Sequence, residues 1–212
     1  PNFPKLKYKL YPIFIKPLLD FSFALFLIII LFPLLITIYF SIMILIGKPV
    51  FFKQLRPGLN NKPFFIYKFR TMSNKLDRYG NLLPDSERIT QFGNLLRKTS
   101  LDELPELLNI IKGEMSFIGP RPLLMEYLTL YDSYQRQRHN VKPGITGLAQ
   151  INGRNEISWN QKFKFDIFYV ENLSFLVDLR IFFTTLWKVL LREGITSKGQ
   201  ATAKPFKGSF TS

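Results

Sequence analysis

Cysteine is absent from this sequence of 212 residues, and histidine occurs once, at position 139. Without thiols the chain can form no disulfide, no thiolate metal centre and no cysteine nucleophile. A lone histidine cannot build a histidine-based zinc site, so the sequence predicts no zinc chemistry. His139 could serve as a base, although a histidine at the surface or bonded to a structural partner is the commoner case.

Two common nucleotide-binding signatures are missing as well. The sequence contains neither Gly-x-Gly-x-x-Gly nor Gly-x-x-x-x-Gly-Lys followed by Ser or Thr. Any nucleotide is therefore bound without a Rossmann fingerprint or a P-loop.

Acidic residues are scarce, with 15 Asp and Glu against 29 Lys and Arg, which gives a formal net charge of +14. Such a surplus requires an anionic partner, which can be nucleic acid, anionic lipid or a phosphorylated substrate. The basic residues cluster beside a long apolar run and around an acidic pair. We therefore expect membrane lipid and phosphorylated partners and no nucleic acid. A membrane-tethered nucleic-acid-binding module is the alternative from another class, and it would interleave basic and exposed aromatic residues.

The N-terminal part of the chain contains a long apolar run, Phe21–Ile46, of 26 residues without a charge. That length meets the criterion for a transmembrane helix. Pro33 lies in the middle of the run, where it removes a helical hydrogen bond and kinks the axis. Each arm of about 13 residues would be only ~20 Å long, too short to cross the ~30 Å hydrocarbon core alone.

Lysines lie on both sides of this run, among them Lys16 and Lys48. Because positive charge favours the cytoplasmic side, both ends of the run are expected there. We therefore expect residues 1–47 to form a re-entrant membrane helix bent at Pro33, with a kinked full crossing as the alternative. Lys16 and Asp20, four residues apart, are expected to form an ion pair at the helix end.

The remainder is expected to be a small cytoplasmic globular domain over residues 48–195, followed by a polar C-terminal tail at 196–212. Its fold class is predicted as α+β and mostly helical. A strand is predicted at Phe64–Phe69 and an exposed loop at Ser73–Glu87.

Helices follow from apolar periodicity and from their capping and stop signals. They are predicted at Ile89–Arg97, Leu104–Lys112, Pro122–Arg138, Ser158–Val170 and Phe175–Leu191. A turn at Lys142–Gly147 leads to a predicted strand at Leu148–Ile151. The last helix is amphipathic and basic, so it suits either an anionic membrane surface, as an interfacial helix, or the core.

The stretch from Arg97 to Pro105 places two adjacent carboxylates, Asp102 and Glu103, after a cluster of basic residues. An aspartate is ionised at neutral pH and can attack phosphorus directly, which gives an acyl phosphate. Mg²⁺ bound by Asp102 and a diphosphate would screen the repulsion between the two anions. Glu103 also has a structural interpretation, because Ser100 and Glu103 have the spacing of a capping box.

Arginine side chains suited to phosphate lie at Arg97 and at Arg121 within Gly119-Pro120-Arg121-Pro122. Their planar forks match phosphate oxygens. The prolines around Arg121 restrict its backbone, so we expect its position to be fixed. Arg154 and Lys68 are further candidates for binding substrate phosphate.

Taken together, these residues resemble the bacterial monotopic phosphoglycosyl transferases, also called polyprenyl-phosphate sugar-phosphate transferases or bacterial sugar transferases. The resemblance runs from about Lys16 to Gly199, and the small size is most similar to the PglC-like enzymes of N-linked protein glycosylation. The matching motifs are Gln54-Leu55-Arg56-Pro57-Gly58, Lys68-Phe69-Arg70-Thr71-Met72, Leu96 to Pro105, Gly113 to Pro122 and Lys142 to Gln150, with Asn152-Gly153-Arg154 and Asp166 after them.

The resemblance implies a two-step reaction that requires Mg²⁺. Asp102 would attack the β-phosphorus of a UDP-sugar, UMP would leave, and polyprenol phosphate, usually undecaprenyl phosphate, would take the sugar phosphate from the aspartate. Glu103 would assist as a metal or acid–base partner, and Arg97 and Arg121 would hold phosphate. The sugar expected by analogy is an N-acetylated amino sugar such as diacetylbacillosamine.

The same resemblance implies a location at the cytoplasmic face of the bacterial inner membrane and a role in the first membrane step of glycoconjugate assembly. Downstream glycosyltransferases are expected partners. The pathway, whether N-glycan, capsule or lipopolysaccharide O-antigen, is left open by the sequence. Phe32 precedes Pro33, where family members often carry serine.

A membrane-bound lipid-phosphate or diphosphate hydrolase that uses the same acids is the second candidate function.

Overall fold

The structure, a computed structural model, describes residues 10–153, 157–191 and 205–208. Within these residues the chain is mostly helical with a small content of strand, as predicted. The helices are α1 (Lys16–Leu45), α2 (Asp85–Arg88), α3 (Gln91–Lys98), α4 (Glu106–Ile111), α5 (Leu148–Ile151), α6 (Trp159–Asn172) and α7 (Phe175–Leu190). The strands are β1 (Phe51–Pro57), β2 (Pro63–Phe69), β3 (Ser116–Ile118) and β4 (Gly144–Thr146). Short 3₁₀ segments lie at Leu59–Asn61, Leu101–Glu103, Met125–Thr129 and Gln135–Asn140.

The N-terminal helix is long and apolar. A π-helical turn, Tyr11–Ile15, runs into α1, and together they are long and apolar enough to cross a membrane. The helix is not divided at Pro33, where the hydroxyl of Thr37 donates a 2.9 Å hydrogen bond to the Pro33 carbonyl. Its 30 residues span ~45 Å, a length that suits a bent re-entrant helix or a crossing.

One side of α1 packs on the globular part of the chain. Ala24 joins a core cluster with α4, and Ile38 and Ile42 join another with the end of β2. The opposite side exposes large apolar side chains that no other described element covers: Leu18, Phe26, Ile29, Ile30, Phe32, Phe40 and Ile44. This exposed apolar surface suits lipid rather than water.

A buried ion pair joins α1 to α7. Asp178 Oδ2 accepts hydrogen bonds from Lys16 Nζ at 2.7 Å and from the Tyr11 hydroxyl at 2.6 Å. Its other oxygen accepts from the Tyr169 hydroxyl at 2.7 Å. The partners therefore come from the N-terminal helix and from α6, and they hold these elements together.

The predicted ion pair between Lys16 and Asp20 is wrong, because a buried partner from α7 takes the lysine. Asp20 instead accepts a 3.2 Å hydrogen bond from the backbone N–H of Phe117 in β3. The i,i+4 spacing allowed a local pair, and tertiary packing supplied better-buried partners for both side chains.

Strands β1 and β2 form an antiparallel hairpin, with Phe51 opposite Phe69. The predicted strand Phe64–Phe69 is confirmed as most of β2. The hairpin is fastened to α4 by Asn109, whose Oδ1 accepts from the Tyr67 N–H and whose Nδ2 donates to the Phe65 carbonyl. This contact sets the position of the end of β2 relative to α4.

Strands β3 and β4 form a short parallel pair, with Ser116 opposite Gly144. The backbones approach closely, since a Cβ on Gly144 would lie 2.1 Å from the Gly119 nitrogen. The predicted turn Lys142–Gly147 therefore contains strand β4, because glycine allows this pairing. The strand predicted at Leu148–Ile151 is wrong: these residues form α5.

The helix predicted at Pro122–Arg138 is also wrong, since the structure has two short 3₁₀ segments there. The Asp132 carboxylate accepts a 2.7 Å hydrogen bond from the Gln135 N–H and so starts a new turn. Because the chain breaks between the two segments, Tyr127 and Tyr131 can both be buried in an aromatic cluster with Phe163 and Phe206.

The other predicted helices are confirmed with shifts of one or two residues at most of their ends. Helix α6 begins at a capping box formed by Ser158 and Gln161. Helix α7 packs in the core through Ile181, as one of the two alternatives expected, while Phe183 and Trp187 are exposed, which also suits an interfacial helix. Most of Ser73–Glu87 is loop, as predicted.

We predict that Asp178→Ala strongly destabilises the protein, because Lys16 would be left buried without a partner. Breaking such a pair costs about 3–5 kcal/mol, which corresponds to a fall in Tm on the order of 10 °C. Thermal unfolding of the detergent-solubilised protein measures the effect. Asp85→Ala is the control, since its 3.5 Å contact with Arg88 involves a carboxylate that is 45% exposed. Equal Tm values for the two variants would contradict the role of the buried pair.

Candidate active site

Three predicted site residues meet at the Glu103 carboxylate. Its Oε1 atom accepts hydrogen bonds from Lys68 Nζ at 2.5 Å and from Arg121 Nη2 at 2.7 Å. Lys68 comes from the end of β2, Glu103 from the 3₁₀ segment Leu101–Glu103, and Arg121 from the loop after β3. The fold thus brings together residues that are 18 and 35 positions apart in the chain.

The capping-box interpretation of Glu103 is wrong. Ser100 has a left-handed backbone with φ of 57° and makes no side-chain capping hydrogen bond. Its carbonyl accepts from the Glu103 N–H, while the Glu103 carboxylate is directed to the two cations. The acid is therefore used for ion pairing across the fold and not for local helix capping.

Asp102 is half-buried beside this ion-pair cluster. Among residues 10–153, 157–191 and 205–208 its carboxylate has no hydrogen-bond or ion-pair partner. Burial, and then the negative charge of Glu103, raise the pKa of Asp102 to about 6, although Lys68, Arg97 and Arg121 oppose the shift. Its oxygens are thus available to a ligand, and its carboxyl group is mostly ionised at neutral pH.

Glu103 behaves in the opposite way. Burial would raise the pKa of Glu103, but the positive charges of Arg121 and Lys68 outweigh burial and hold the pKa well below its usual range. Adjacent carboxylates whose pKa values are driven apart are typical of sites in which two acids have different roles.

Arg97 is a further cation of the site, at the C-terminal end of α3. Its Nε donates a 3.1 Å hydrogen bond to the Thr71 hydroxyl, and within the described part of the chain it forms no ion pair. Its positive charge acts on Asp102. The remaining N–H groups of the guanidinium can therefore bind an anion near that carboxylate.

Arg121 is held through its backbone. Its carbonyl accepts a 2.7 Å hydrogen bond from Arg138 Nη2, and Arg138 is buried against Asp166, with Nε and Nη2 at 3.0 and 2.8 Å from Oδ2. The sequence indicated that the neighbouring prolines position Arg121, but it did not indicate that Arg138 also holds the Arg121 backbone. The buried ion pair adds a second constraint.

The sequence matches the family described as Bacterial sugar transferase over residues 11–192. An uncharacterized sugar transferase of Bacillus subtilis, EpsL, is 54% identical over 200 residues, which cover 92% of this chain and 96% of that protein. The chain belongs to the bacterial sugar transferase family.

Two further relatives of this transferase have more specific names. The exopolysaccharide production protein ExoY of Rhizobium meliloti is 43% identical over 165 residues, which cover 70% of this chain and 73% of that protein. The UDP-glucose:undecaprenyl-phosphate glucose-1-phosphate transferase of Xanthomonas campestris is 39% identical over 172 residues, with 76% of this chain and 35% of that longer protein covered. The expectation of a phosphoglycosyl transferase is confirmed. None of these relatives is named for protein glycosylation, which stays a prediction.

The transferase has a third acid at the site that the sequence analysis did not identify. Glu106 is 1% exposed, and its Oε1 lies 3.1 Å from Lys68 Nζ. Burial raises the pKa of Glu106 to about 7, with a smaller contribution from Glu103, while Lys68 opposes the shift. Lys68 thus lies between two carboxylates. The only sequence feature that pointed to Glu106 is its position four residues after Asp102, and that spacing does not show that the side chain is buried.

The described residues of the transferase contain no cluster of three or more His, Asp or Glu side chains that could hold a metal by themselves. Magnesium in phosphate-transfer sites is usually held by one or two carboxylates together with substrate phosphates. Asp102 fits that pattern because both of its oxygens lack a partner among the described residues. Glu103 fits less well, since two cations occupy one of its oxygens. Arg154 lies outside the described residues.

We predict that Glu106→Gln flattens the pH dependence of stability. Because the folded-state pKa of Glu106 is raised, its contribution to stability is fully present below about pH 4.5 and is lost as the pH rises through about 7. Between pH 5 and 7.5 the wild type should lose about 2 kcal/mol more than the variant. Denaturant unfolding across this range measures the difference.

The control for this experiment is Glu87→Gln, which changes an exposed glutamate. It should follow the wild-type pH profile. A Glu106→Gln profile that coincides with that of the wild type would contradict the raised pKa.

Proposed function

We propose that the transferase moves a sugar 1-phosphate from a UDP-sugar to polyprenol phosphate, here undecaprenyl phosphate, through a covalent intermediate on Asp102. The products are UMP and a polyprenyl-diphosphate sugar. The observation that carries the proposal is the carboxylate of Asp102, which has no partner in the described part of the chain, beside that of Glu103, which two cations hold ionised. The names of the Xanthomonas enzyme and of a Salmonella typhimurium relative, undecaprenyl-phosphate galactose phosphotransferase, support this substrate pair.

In the first step an oxygen of Asp102 attacks the β-phosphorus of the sugar nucleotide. The bond between this phosphorus and the bridging oxygen breaks, and its electron pair leaves with UMP. Arg97 and Arg121 lie where they can offset the charge on the phosphoryl oxygens. Glu103 keeps Arg121 and Lys68 oriented and does not compete as the nucleophile, because its charge is already neutralised by them.

In the second step an oxygen of polyprenol phosphate attacks the phosphorus of the aspartyl intermediate. The bond from Asp102 to phosphorus breaks, and the aspartate carboxylate is restored. The step needs no protein base if the lipid phosphate is ionised, so Glu106 and His139 have no necessary proton-transfer role. Half-buried Asp102 is excluded from full hydration, which favours transfer over hydrolysis.

Mg²⁺ is part of the proposal, with Asp102 as its protein ligand. When bound, it would supply positive charge between the carboxylate and the diphosphate. Lys68 and Arg121 cannot replace it fully, because Glu103 neutralises part of their charge.

The membrane supplies the second substrate, and the proposed location is the cytoplasmic face of the bacterial inner membrane. The exposed apolar side of α1 would lie in lipid as a re-entrant helix with its bend at Pro33. Helix α7 would lie at the interface, since Phe183 and Trp187 are exposed and Arg180 supplies positive charge. Both helices contact β3, which leads to Arg121, so the site would be held near the bilayer surface.

The sugar is a separate part of the proposal. An N-acetylated amino sugar, such as diacetylbacillosamine, follows from the resemblance, whereas relatives are named for glucose and galactose. UMP release measured with UDP-diacetylbacillosamine, UDP-N-acetylglucosamine, UDP-glucose and UDP-galactose decides among them.

We predict that Asp102→Asn lowers the rate of UMP release at least 1,000-fold, on the order expected when a covalent nucleophile is lost. Asp85→Asn changes a carboxylate that contacts Arg88 and not the Glu103 cluster, so it should retain wild-type turnover. Thermal unfolding should confirm that both variants fold. Wild-type protein mixed with UDP-sugar alone should carry a sugar-phosphate adduct on Asp102, detectable by mass spectrometry. Near-normal turnover in Asp102→Asn would exclude Asp102 as the nucleophile.

The adduct also separates the two candidate functions. A hydrolase that acts through an activated water would release sugar phosphate and leave no adduct. Glu103→Gln should impair turnover as well, since Lys68 and Arg121 would lose their shared anion.

We predict that kcat/KM for the UDP-sugar, measured at limiting Mg²⁺, falls as the pH drops through about 6, because this constant reports the free protein and attack requires the ionised form of Asp102. Well below this value kcat/KM should fall about tenfold per pH unit, and above about pH 7 it should be constant. Glu106→Gln is the matched control, since Glu106 titrates near 7. The inflection should persist in that variant. If the inflection shifts in Glu106→Gln, it belongs to Glu106 and not to Asp102, which would contradict the prediction.

A further inference from the structure

Arg56 is an incompletely paired cation beside the site. It lies in β1 opposite Phe64, and its Nη2 donates a 2.5 Å hydrogen bond to Gln54 Oε1. Among the described residues its buried Nε atom has no hydrogen-bond partner, and Arg56 forms no ion pair. A buried guanidinium N–H without an acceptor is unfavourable, which indicates that an acceptor comes from outside the described residues.

The side chain lines a cavity next to the Glu103 cluster. The cavity is about 30 Å³ in volume and is lined by Arg56, Ile66, Lys68, Glu106, Arg121 and Pro122. Three of these side chains are cationic and one is acidic. Lys68 and Arg121 already share Glu103, and Lys68 also contacts Glu106, whereas Arg56 forms no ion pair within the described residues.

The two arginines of the cavity influence one another. Burial, and then the positive charge of Arg121, lower the pKa of Arg56. Two guanidinium groups on one cavity repel each other until an anion lies between them. A phosphate would supply acceptors for Arg56 Nε and for the N–H groups of Arg121 that Glu103 does not use.

We propose that Arg56 and Arg121 form a second phosphate subsite, which holds the phosphate of the leaving nucleotide. This proposal rests on the proposed function. The reacting phosphate must lie at Asp102, and neither Asp102 nor Arg97 lines the cavity of Arg56. Arg121 contacts Glu103 on one side and the cavity on the other, so it can bridge the two phosphates of a nucleoside diphosphate sugar.

Phosphate binding at Arg56 has two possible sources, the sugar nucleotide and the polyprenol phosphate. Steady-state kinetics of the full-length protein separate them. Arg56→Gln should raise the KM for the UDP-sugar and the inhibition constant of UMP by about 10- to 100-fold, as expected for the loss of charge-assisted hydrogen bonds. The KM for polyprenol phosphate should change less than threefold.

Two control variants accompany Arg56→Gln. Arg56→Lys keeps the charge and loses the fork, so its effects should be intermediate, and it replaces Arg56→Gln if that variant does not fold. Lys53→Gln removes a positive charge from an exposed position of the same strand and should leave all three constants unchanged.

Two results would overturn the proposal. A raised KM for polyprenol phosphate with unchanged UMP inhibition would assign the subsite to the lipid. Unchanged constants for both substrates would give Arg56 a structural role only.

Calorimetric titration of UMP into the wild type and Arg56→Gln tests the subsite without turnover. If the wild type releases no UMP from any UDP-sugar, the proposed function fails while this binding test still applies. UMP binding that weakens in the variant supports the subsite, and equal binding, or none to the wild type, overturns it.

Discussion

The pair of ion pairs that Glu103 forms with Lys68 and Arg121 is the interaction on which the candidate site depends. Lys68 and Arg121 approach one oxygen of this acid from two different parts of the fold. Their charges keep Glu103 ionised, and the resulting negative charge, added to burial, raises the pKa of the neighbouring Asp102. The same contact therefore orients the cations and distinguishes the two acids. Removing Glu103 would affect the position of both cations and the ionisation of Asp102 together.

This contact requires that three elements keep their relative positions, and buried polar contacts fix two of them. Asn109 fastens the hairpin that carries Lys68, and Arg138 with Asp166 fastens the backbone of Arg121. Asp20 of the membrane helix binds β3, which leads into the same loop. Buried ion pairs seldom add net stability compared with apolar packing, but breaking one is costly. We interpret these contacts as restricting the site to one arrangement.

The sequence predicted those parts of the protein that depend on local pattern, such as helices α6 and α7 and the apolar helix α1. It failed at Pro122–Arg138 and Leu148–Ile151, where aromatic packing and a glycine contact between distant strands decide the backbone. At the site, motifs and the family resemblance pointed to the acidic pair and its cations. Burial is a property of the folded chain, so the sequence alone does not reveal the roles of Glu106 and Arg138, or that the Nε of Arg56 lacks a partner among the described residues.

The proposed covalent route suits the single set of cations at this site. The cavity beside them is small, about 30 Å³, so a phosphate would reach the cations from the open surface and most of each substrate would remain outside the cavity. Under the proposed function, a soluble nucleotide and a membrane lipid present phosphates of the same chemistry to one set of cations. Holding the sugar phosphate on Asp102 lets these two anions occupy the cations in turn, which avoids the repulsion of binding them together. The excess of arginine and lysine over available carboxylate at the site is what such alternating occupancy requires.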